Sequence, residues 1–162
     1  MMNYGLFFAF LGAALAVGIS GAGSAKGIGL ASEAAAGVVV DDPSKFGRLL
    51  VLQLLPSTQG LYGFIVGVLV MNNIGVIGGT PPADITAGLL YFAACLAVAI
   101  GGYASALSQG RVCAAGVNII AKKPAESSKA IVSASLVELY ALIAFIVSLL
   151  LVVNVNKVVD LL

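Results

Sequence analysis

Four long stretches of this chain, residues 4–25, 49–83, 85–110 and 139–156, contain no charged side chain at all. A soluble domain is about one-quarter charged, whereas this sequence is 9% charged and 60% hydrophobic. The chain therefore belongs in a membrane. Each stretch is close to or above the ~20 residues that a helix needs to cross ~30 Å of hydrocarbon. Punctuation by Asp41-Asp42-Pro43, by Gly78-Gly79-Thr80-Pro81-Pro82 and by Lys122-Lys123-Pro124 separates four segments. The expected fold is all-α with four transmembrane helices at about 3–39, 44–76, 84–121 and 125–158. At ~1.5 Å per residue all four are longer than the bilayer is thick, so the surplus tilts or projects into water.

A net charge of +1 leaves no electrostatic footprint for nucleic acid, and histidine is absent. Cys95 and Cys113 fall in the third segment, where one straight helix holds them roughly 27 Å apart, too far for a disulfide. With no histidine and no second cysteine nearby they read as small apolar side chains. Ala22 to Ala25 looks like a small-residue cleavage site, but nothing basic precedes Phe7 except the α-amino group, and the helix pattern continues past Ser24. The first segment is therefore expected to be a retained helix and not a signal peptide.

Lys45 and Arg48 lie in the first connection, Lys122, Lys123 and Lys129 in or beside the third, and the middle one has no lysine or arginine. By the positive-inside rule the first and third connections face the cytoplasm and both termini the opposite side. Tyr4, Phe7, Phe8, Tyr91 and Phe92 suit an interfacial aromatic band there, while Lys157 runs against the trend. The halves also match each other. A shift of 81 residues superimposes Pro43 on Pro124, Arg48 on Lys129, Val51 on Val132 and Phe64-Ile65-Val66 on Phe145-Ile146-Val147. For the earlier helices a shift of 83 pairs Gly18 with Gly101 and Gly27 with Gly110. The expected organisation is two tandem, parallel hairpins, 1–79 and 80–162, forming one structural unit.

Small residues crowd the first and third helices. The runs Gly23/Gly27/Ala31 and Ala106/Gly110/Ala114 form small-xxx-small stripes along which backbones approach closely. The second and fourth helices are bulkier in Leu, Ile, Val and Phe, as a lipid-facing layer requires. Several copies closing into a cyclic ring, with helices 1 and 3 inner and 2 and 4 outer, would satisfy both patterns. Tight packing inside a single four-helix bundle would also use the stripes.

Glu138 is the only charge between Ala130 and Asn156. A carboxylate at that depth is costly, and its two explanations are an ion or proton pathway and a salt bridge to an intramembrane base such as Arg111 or Lys26. Depth favours the first. Glu138 lies about four turns beyond Pro124, Gln59 about four beyond Pro43, and Gln109 about four before Lys122, all roughly 20 Å from the cytoplasmic turns. Thr58 adds a hydroxyl beside Gln59. Pro56 removes a helical amide donor nearby, which turns carbonyl oxygens outward. Several neutral oxygens around one carboxylate suit a dehydrated monovalent hard cation; a proton needs the carboxylate alone.

The runs Ile-Gly-Leu-Ala-Ser-Glu-Ala-Ala-Ala-Gly (28–37), Leu-Gln-Leu-Leu-Pro-Ser-Thr-Gln-Gly-Leu-Tyr-Gly-Phe (52–64), Gln-Gly-Arg-Val-Cys-Ala-Ala-Gly (109–116) and Val-Glu-Leu-Tyr-Ala (137–141) resemble the V-type ATPase proteolipid over nearly the whole chain. Within that family they are most similar to the rotor-ring proteolipids of bacterial sodium-translocating V-type ATPases. The resemblance implies a ring of identical four-helix subunits turning against a stator membrane subunit that carries a basic residue, joined to a central-stalk subunit and driven by ATP hydrolysis elsewhere. It implies Na⁺ held by the Glu138 carboxylate, the Thr58 hydroxyl, the Gln59 and Gln109 side-chain oxygens and the Leu55 carbonyl, with Tyr62 donating a hydrogen bond to Glu138. Ser57 stands opposite Glu138 in the repeat, so one ion per chain is expected. The implied location is a bacterial cell membrane, multi-pass.

The chain has no phosphate-cradling loop and no nucleophile–base pair, so no covalent chemistry is expected of it. The same rotor component with H⁺ as its cargo and a small four-helix secondary transporter remain as alternatives. Lys26 and Glu33, two turns apart on one face, read as structural. Asp41, Asp42, Lys45 and Arg48 read as a solvated turn, and Asp84 as the cap of the third helix.

Overall fold

A computed structural model describes residues 3–82 and 84–161. It contains four helices long and apolar enough to cross a membrane: α1 (Tyr4–Asp41), α2 (Pro43–Asn73), α3 (Ile85–Lys122) and α4 (Pro124–Val159). The expected ends hold to within a few residues. The end of α2 differs most, stopping at Asn73 and not near 76 because Gly75 and Gly79 turn the chain through positive φ, 84° and 58°. A side chain at Gly79 would also press on the carbonyl oxygens of Asn72 and Asn73, 2.6 Å from each.

Local chemistry sets the remaining ends. The Asn3 side chain accepts the Leu6 amide at 3.0 Å and donates to the Pro82 carbonyl at 3.1 Å, tying the start of α1 to the α2–α3 turn. Asp84 caps α3 as expected, accepting the Ala87 amide at 2.9 Å. Pro43 and Pro124 each open a single 3₁₀ turn at the head of α2 and α4, where a missing amide costs nothing. Beside Pro43, Asp42 accepts hydrogen bonds from the Ser44 amide and hydroxyl and pairs with Lys45 at 3.3 Å. The Ser44 hydroxyl, then Lys45, hold the Asp42 carboxyl below its ordinary range. Lys45 also donates to the Ala121 carbonyl at 3.0 Å, so the two turns at this end of the molecule are joined.

The small-residue stripes are used inside the chain. Gly23, Gly27 and Ala31 of α1 are buried, as are Ala106 and Gly110 of α3. A Cβ on Gly23 would stand 2.6 Å from the Tyr103 Cα, and one on Gly27 would strike the Ala106 carbonyl and stand 2.8 Å from the Pro56 ring. Gly110 meets the backbone of Gly27 directly. Dispersion between backbones at this separation replaces the hydrophobic drive that lipid does not supply. Gly27→Leu should therefore separate α1 from α3 and shift Pro56. We expect a loss of about 1–3 kcal/mol, seen as a lower unfolding midpoint in detergent, whereas Gly29→Leu, with open space around its Cβ, should leave the midpoint nearly unchanged.

Two buried clusters fill the rest. One joins Ala9, Ala13, Ala16, Val66, Val70, Tyr91, Val98 and Val152, and the other joins Ala31, Ala35, Leu49, Leu52, Cys113, Val117 and Ala134. Cys95 and Cys113 are both free and buried, as expected. Between the two clusters, at mid-depth, lies a polar layer.

Candidate ion site

Pro56 creates that layer. It interrupts α2 with a 3₁₀ turn, Leu55–Ser57, in the middle of the span. The Ser57 hydroxyl donates to the Leu54 carbonyl at 2.6 Å and the Thr58 hydroxyl to the Leu55 carbonyl at 3.3 Å. Ser24 of α1 accepts the Gly60 amide at 2.8 Å. The break thus sets the Thr58 hydroxyl and the Leu55 carbonyl beside Gln59.

Gln59 is fully buried, and its amide nitrogen donates to Gln109 Oε1 of α3 at 2.7 Å and to the Ser105 hydroxyl at 3.4 Å. The Thr58 hydroxyl lies 3.3 Å from Gln59 Oε1. Gln109, equally buried, donates to the Ala134 carbonyl of α4 at 3.2 Å and to Glu138 Oε2 at 3.4 Å. Tyr62 donates its hydroxyl to Glu138 Oε1 at 2.9 Å, and its ring stacks on Phe145 with centroids 5.0 Å apart. One connected network therefore contains Glu138, Gln109, Gln59, Thr58, Tyr62 and the Leu55 carbonyl. The equal depth read from the sequence corresponds to real adjacency.

Both glutamine oxygens keep acceptor capacity, because a carbonyl oxygen has two lone pairs and each is met by at most one side-chain donor here, the single Thr58 hydroxyl proton serving either Gln59 Oε1 or the Leu55 carbonyl. Glu138 receives only neutral donors. Among the described residues the ion pairs are Lys45–Asp42 and Lys129–Glu126, neither of which involves it. Lys26, the first candidate base, instead donates to the Tyr103 hydroxyl at 3.1 Å and lies 5.4 Å above that ring. Arg111 is exposed on the far face, lining a shallow crevice with Lys26 and Glu33. The salt-bridge explanation of Glu138 therefore fails among the described residues. A carboxylate in a membrane helix, surrounded by neutral oxygens and hydroxyls, can take up a cation or a proton and little else.

Two participants escaped sequence reasoning. Ser105 bridges Gln59 and the Val137 carbonyl, to which it donates at 3.0 Å. Its position one turn before Gln109 on α3 was the available signal, masked by the many small residues around it. Phe145 fixes the Tyr62 ring, and in sequence it stands out only as the repeat counterpart of Phe64.

The sequence matches the ATP synthase C-subunit family twice, over residues 11–70 and 92–151, the second match beginning 81 residues after the first. The chain is 46% identical over 152 residues to the V-type sodium ATPase subunit K of Enterococcus hirae, covering 94% of each protein. It is 40% identical to the A-type ATP synthase subunit K of Methanocaldococcus jannaschii over 94% of this chain and 64% of that protein. Identity to the 16 kDa proteolipid of the human V-type proton ATPase is 27%, over 75% and 76% of the two chains. The chain belongs to the ATP synthase C-subunit family as a V-type ATPase proteolipid, a non-catalytic integral membrane subunit of the rotor.

Proposed function

We propose that this rotor protein takes Na⁺ across the membrane, one ion per chain, with Glu138 supplying the negative charge. The Thr58 hydroxyl, the Gln59 and Gln109 side-chain oxygens and the Leu55 carbonyl are the neutral ligands. Tyr62, aligned by its stack on Phe145, donates to the carboxylate and holds it in place. The observation that carries this reading is the company Glu138 keeps: neutral groups only, with Gln109 of the third helix bonded to it directly and Gln59 and Thr58 of the second helix one and two hydrogen bonds further along the same network. The sodium-type name of the Enterococcus relative supports it.

The mechanism follows from charge. A vacant carboxylate faces lipid only at a cost of several kcal/mol, whereas one neutralised by Na⁺ within a cage of dipoles does not. Occupancy therefore decides whether a copy rotates through the lipid. Copies of the chain close into a ring, with α1 and α3 inside and α2 and α4 outside, and the two hairpins, 1–79 and 80–162, share one site. A basic residue on a stator membrane subunit displaces the ion and pairs transiently with Glu138. A central stalk meets the turns at Asp42–Lys45 and Lys122–Glu126, which face the cytoplasm of a bacterial cell, both termini lying outside.

Carbodiimide labelling tests the ion. The reagent attacks a protonated carboxyl, so at neutral pH Glu138 should label in sodium-free buffer and be protected by added Na⁺. Labelling that ignores Na⁺ and falls only as pH rises would identify a proton carrier instead.

A further inference from the structure

A serine in a membrane helix ordinarily returns its hydroxyl proton to the carbonyl one turn back on its own helix, as Ser20, Ser133 and Ser135 do here with Ala16, Lys129 and Ile131. Ser105 does not. Its proton crosses from α3 to α4, to the carbonyl of Val137 at 3.0 Å, the residue before Glu138. A hydroxyl has one proton and two lone pairs. With the proton engaged by a carbonyl, which can only accept, Ser105 turns its lone pairs toward Gln59, whose amide nitrogen lies 3.4 Å away.

Gln109 is oriented in the same sense. One edge of its amide faces the Ala134 carbonyl at 3.2 Å and Glu138 Oε2 at 3.4 Å, both acceptors, so that edge carries the nitrogen. Its oxygen therefore faces the Gln59 nitrogen at 2.7 Å. Two acceptors, each aligned by a group of α4, thus hold the nitrogen of Gln59 on the α3 side, and its oxygen is left 3.3 Å from the Thr58 hydroxyl. Turned over, the same amide would set its oxygen against Gln109 Oε1 across the 2.7 Å now spanned by a hydrogen bond, and against the lone pairs of Ser105. Its nitrogen, the positive end of the amide dipole, would then face Thr58.

Resting on the sodium reading proposed above, we infer that Ser105 is a positioning residue for Na⁺: anchored on the Val137 carbonyl, it sets the Gln59 amide so that oxygen, and not nitrogen, meets the cation. An amide turned the other way would repel the ion it is meant to hold. The hydrogen bonds of Ser105 reach Gln59 and the α4 backbone and not the Glu138 carboxylate, so the serine acts through Gln59. A proton on Glu138 needs no oxygen from Gln59. Ser105 therefore supports sodium binding without supporting protonation.

The experiment is carbodiimide labelling of the full-length protein in native membranes, read as the sodium concentration that half-protects Glu138. Ser105→Ala should raise that concentration about three- to tenfold, the factor that one ordinary hydrogen bond is worth, and leave the labelling rate in sodium-free buffer unchanged. Ser105→Thr keeps the hydroxyl, and its extra methyl has room in the crevice beside Gly101, Ala104 and Ser108, so protection should return close to the wild-type concentration. Added to Gln59→Leu, Ser105→Ala should raise the concentration no further, because no amide is left to orient, whereas a mere loss of packing would add in full. Ser105→Cys, similar in volume but a poor acceptor, carries the same expectation as Ser105→Ala and replaces it if the alanine variant does not assemble. Protection of Ser105→Ala at the wild-type concentration, or a full further loss in the Gln59→Leu background, overturns the role of Ser105 and leaves the sodium site standing; labelling of the unmodified protein that ignores Na⁺ overturns the sodium reading, and this role with it.

Discussion

Glu138→Gln is expected to abolish ATP-driven sodium uptake into membrane vesicles, by at least two orders of magnitude, with the protein still inserted and assembled. Glutamine has the same shape, can accept from the Tyr62 hydroxyl, and can still meet Gln109, so the packing of α2, α3 and α4 survives. What disappears is the only negative charge near the site. A dehydrated cation held by neutral dipoles alone loses several kcal/mol of attraction at low dielectric, and each 1.4 kcal/mol is a factor of ten in affinity. Uptake of radioactive sodium measures the effect. Retention of more than a tenth of the wild-type rate would place the charge-bearing group elsewhere.

Gln59→Leu is the second large effect, and it separates ion from proton. Leucine nearly fills the same buried volume but removes one proposed ligand oxygen and the donor to Gln109 Oε1 and Ser105. The missing ligand oxygen weakens sodium binding, a polar contact to a charged group being worth about 1.5–3 kcal/mol. The sodium concentration that protects Glu138 from carbodiimide should rise about 10- to 100-fold, each tenfold being 1.4 kcal/mol. Reactivity of Glu138 in sodium-free buffer should remain, because protonation requires the carboxylate alone. A variant with the wild-type sodium requirement would remove Gln59 from the ligand set.

The helices were legible because lipid imposes a simple length rule: no charge for about 20 residues, then Pro or Gly with Asp or Lys. The depth of the site was legible for a similar reason, since Gln59, Gln109 and Glu138 can be counted from prolines and lysines that sit at the water boundary. The rotation of each helix about its axis was not. Lipid-exposed and buried faces are equally apolar here, so α4 gives no sequence sign that Ala134 and Ala141 are buried while Leu136 and Tyr140 are open. Two explanations of Glu138 therefore stood side by side until the positions of Lys26, bonded to Tyr103, and of Arg111, on the far face, separated them. The stripes of small residues had the same ambiguity. Gly23, Gly27 and Gly110 serve contact between α1 and α3 of one chain, which no count of glycines could distinguish from contact between copies. The roles of Ser105 and Phe145 at the site were not legible because they depend on which face each occupies.

Counting sodium on the purified, detergent-solubilised assembly addresses the central claim most directly. Equilibrium binding of radioactive sodium should saturate at one ion per polypeptide in the wild type and at none in Glu138→Gln. Saturation at the same level in both proteins, or no saturable binding in the wild type while Glu138 still labels, would contradict a sodium ion held by this carboxylate.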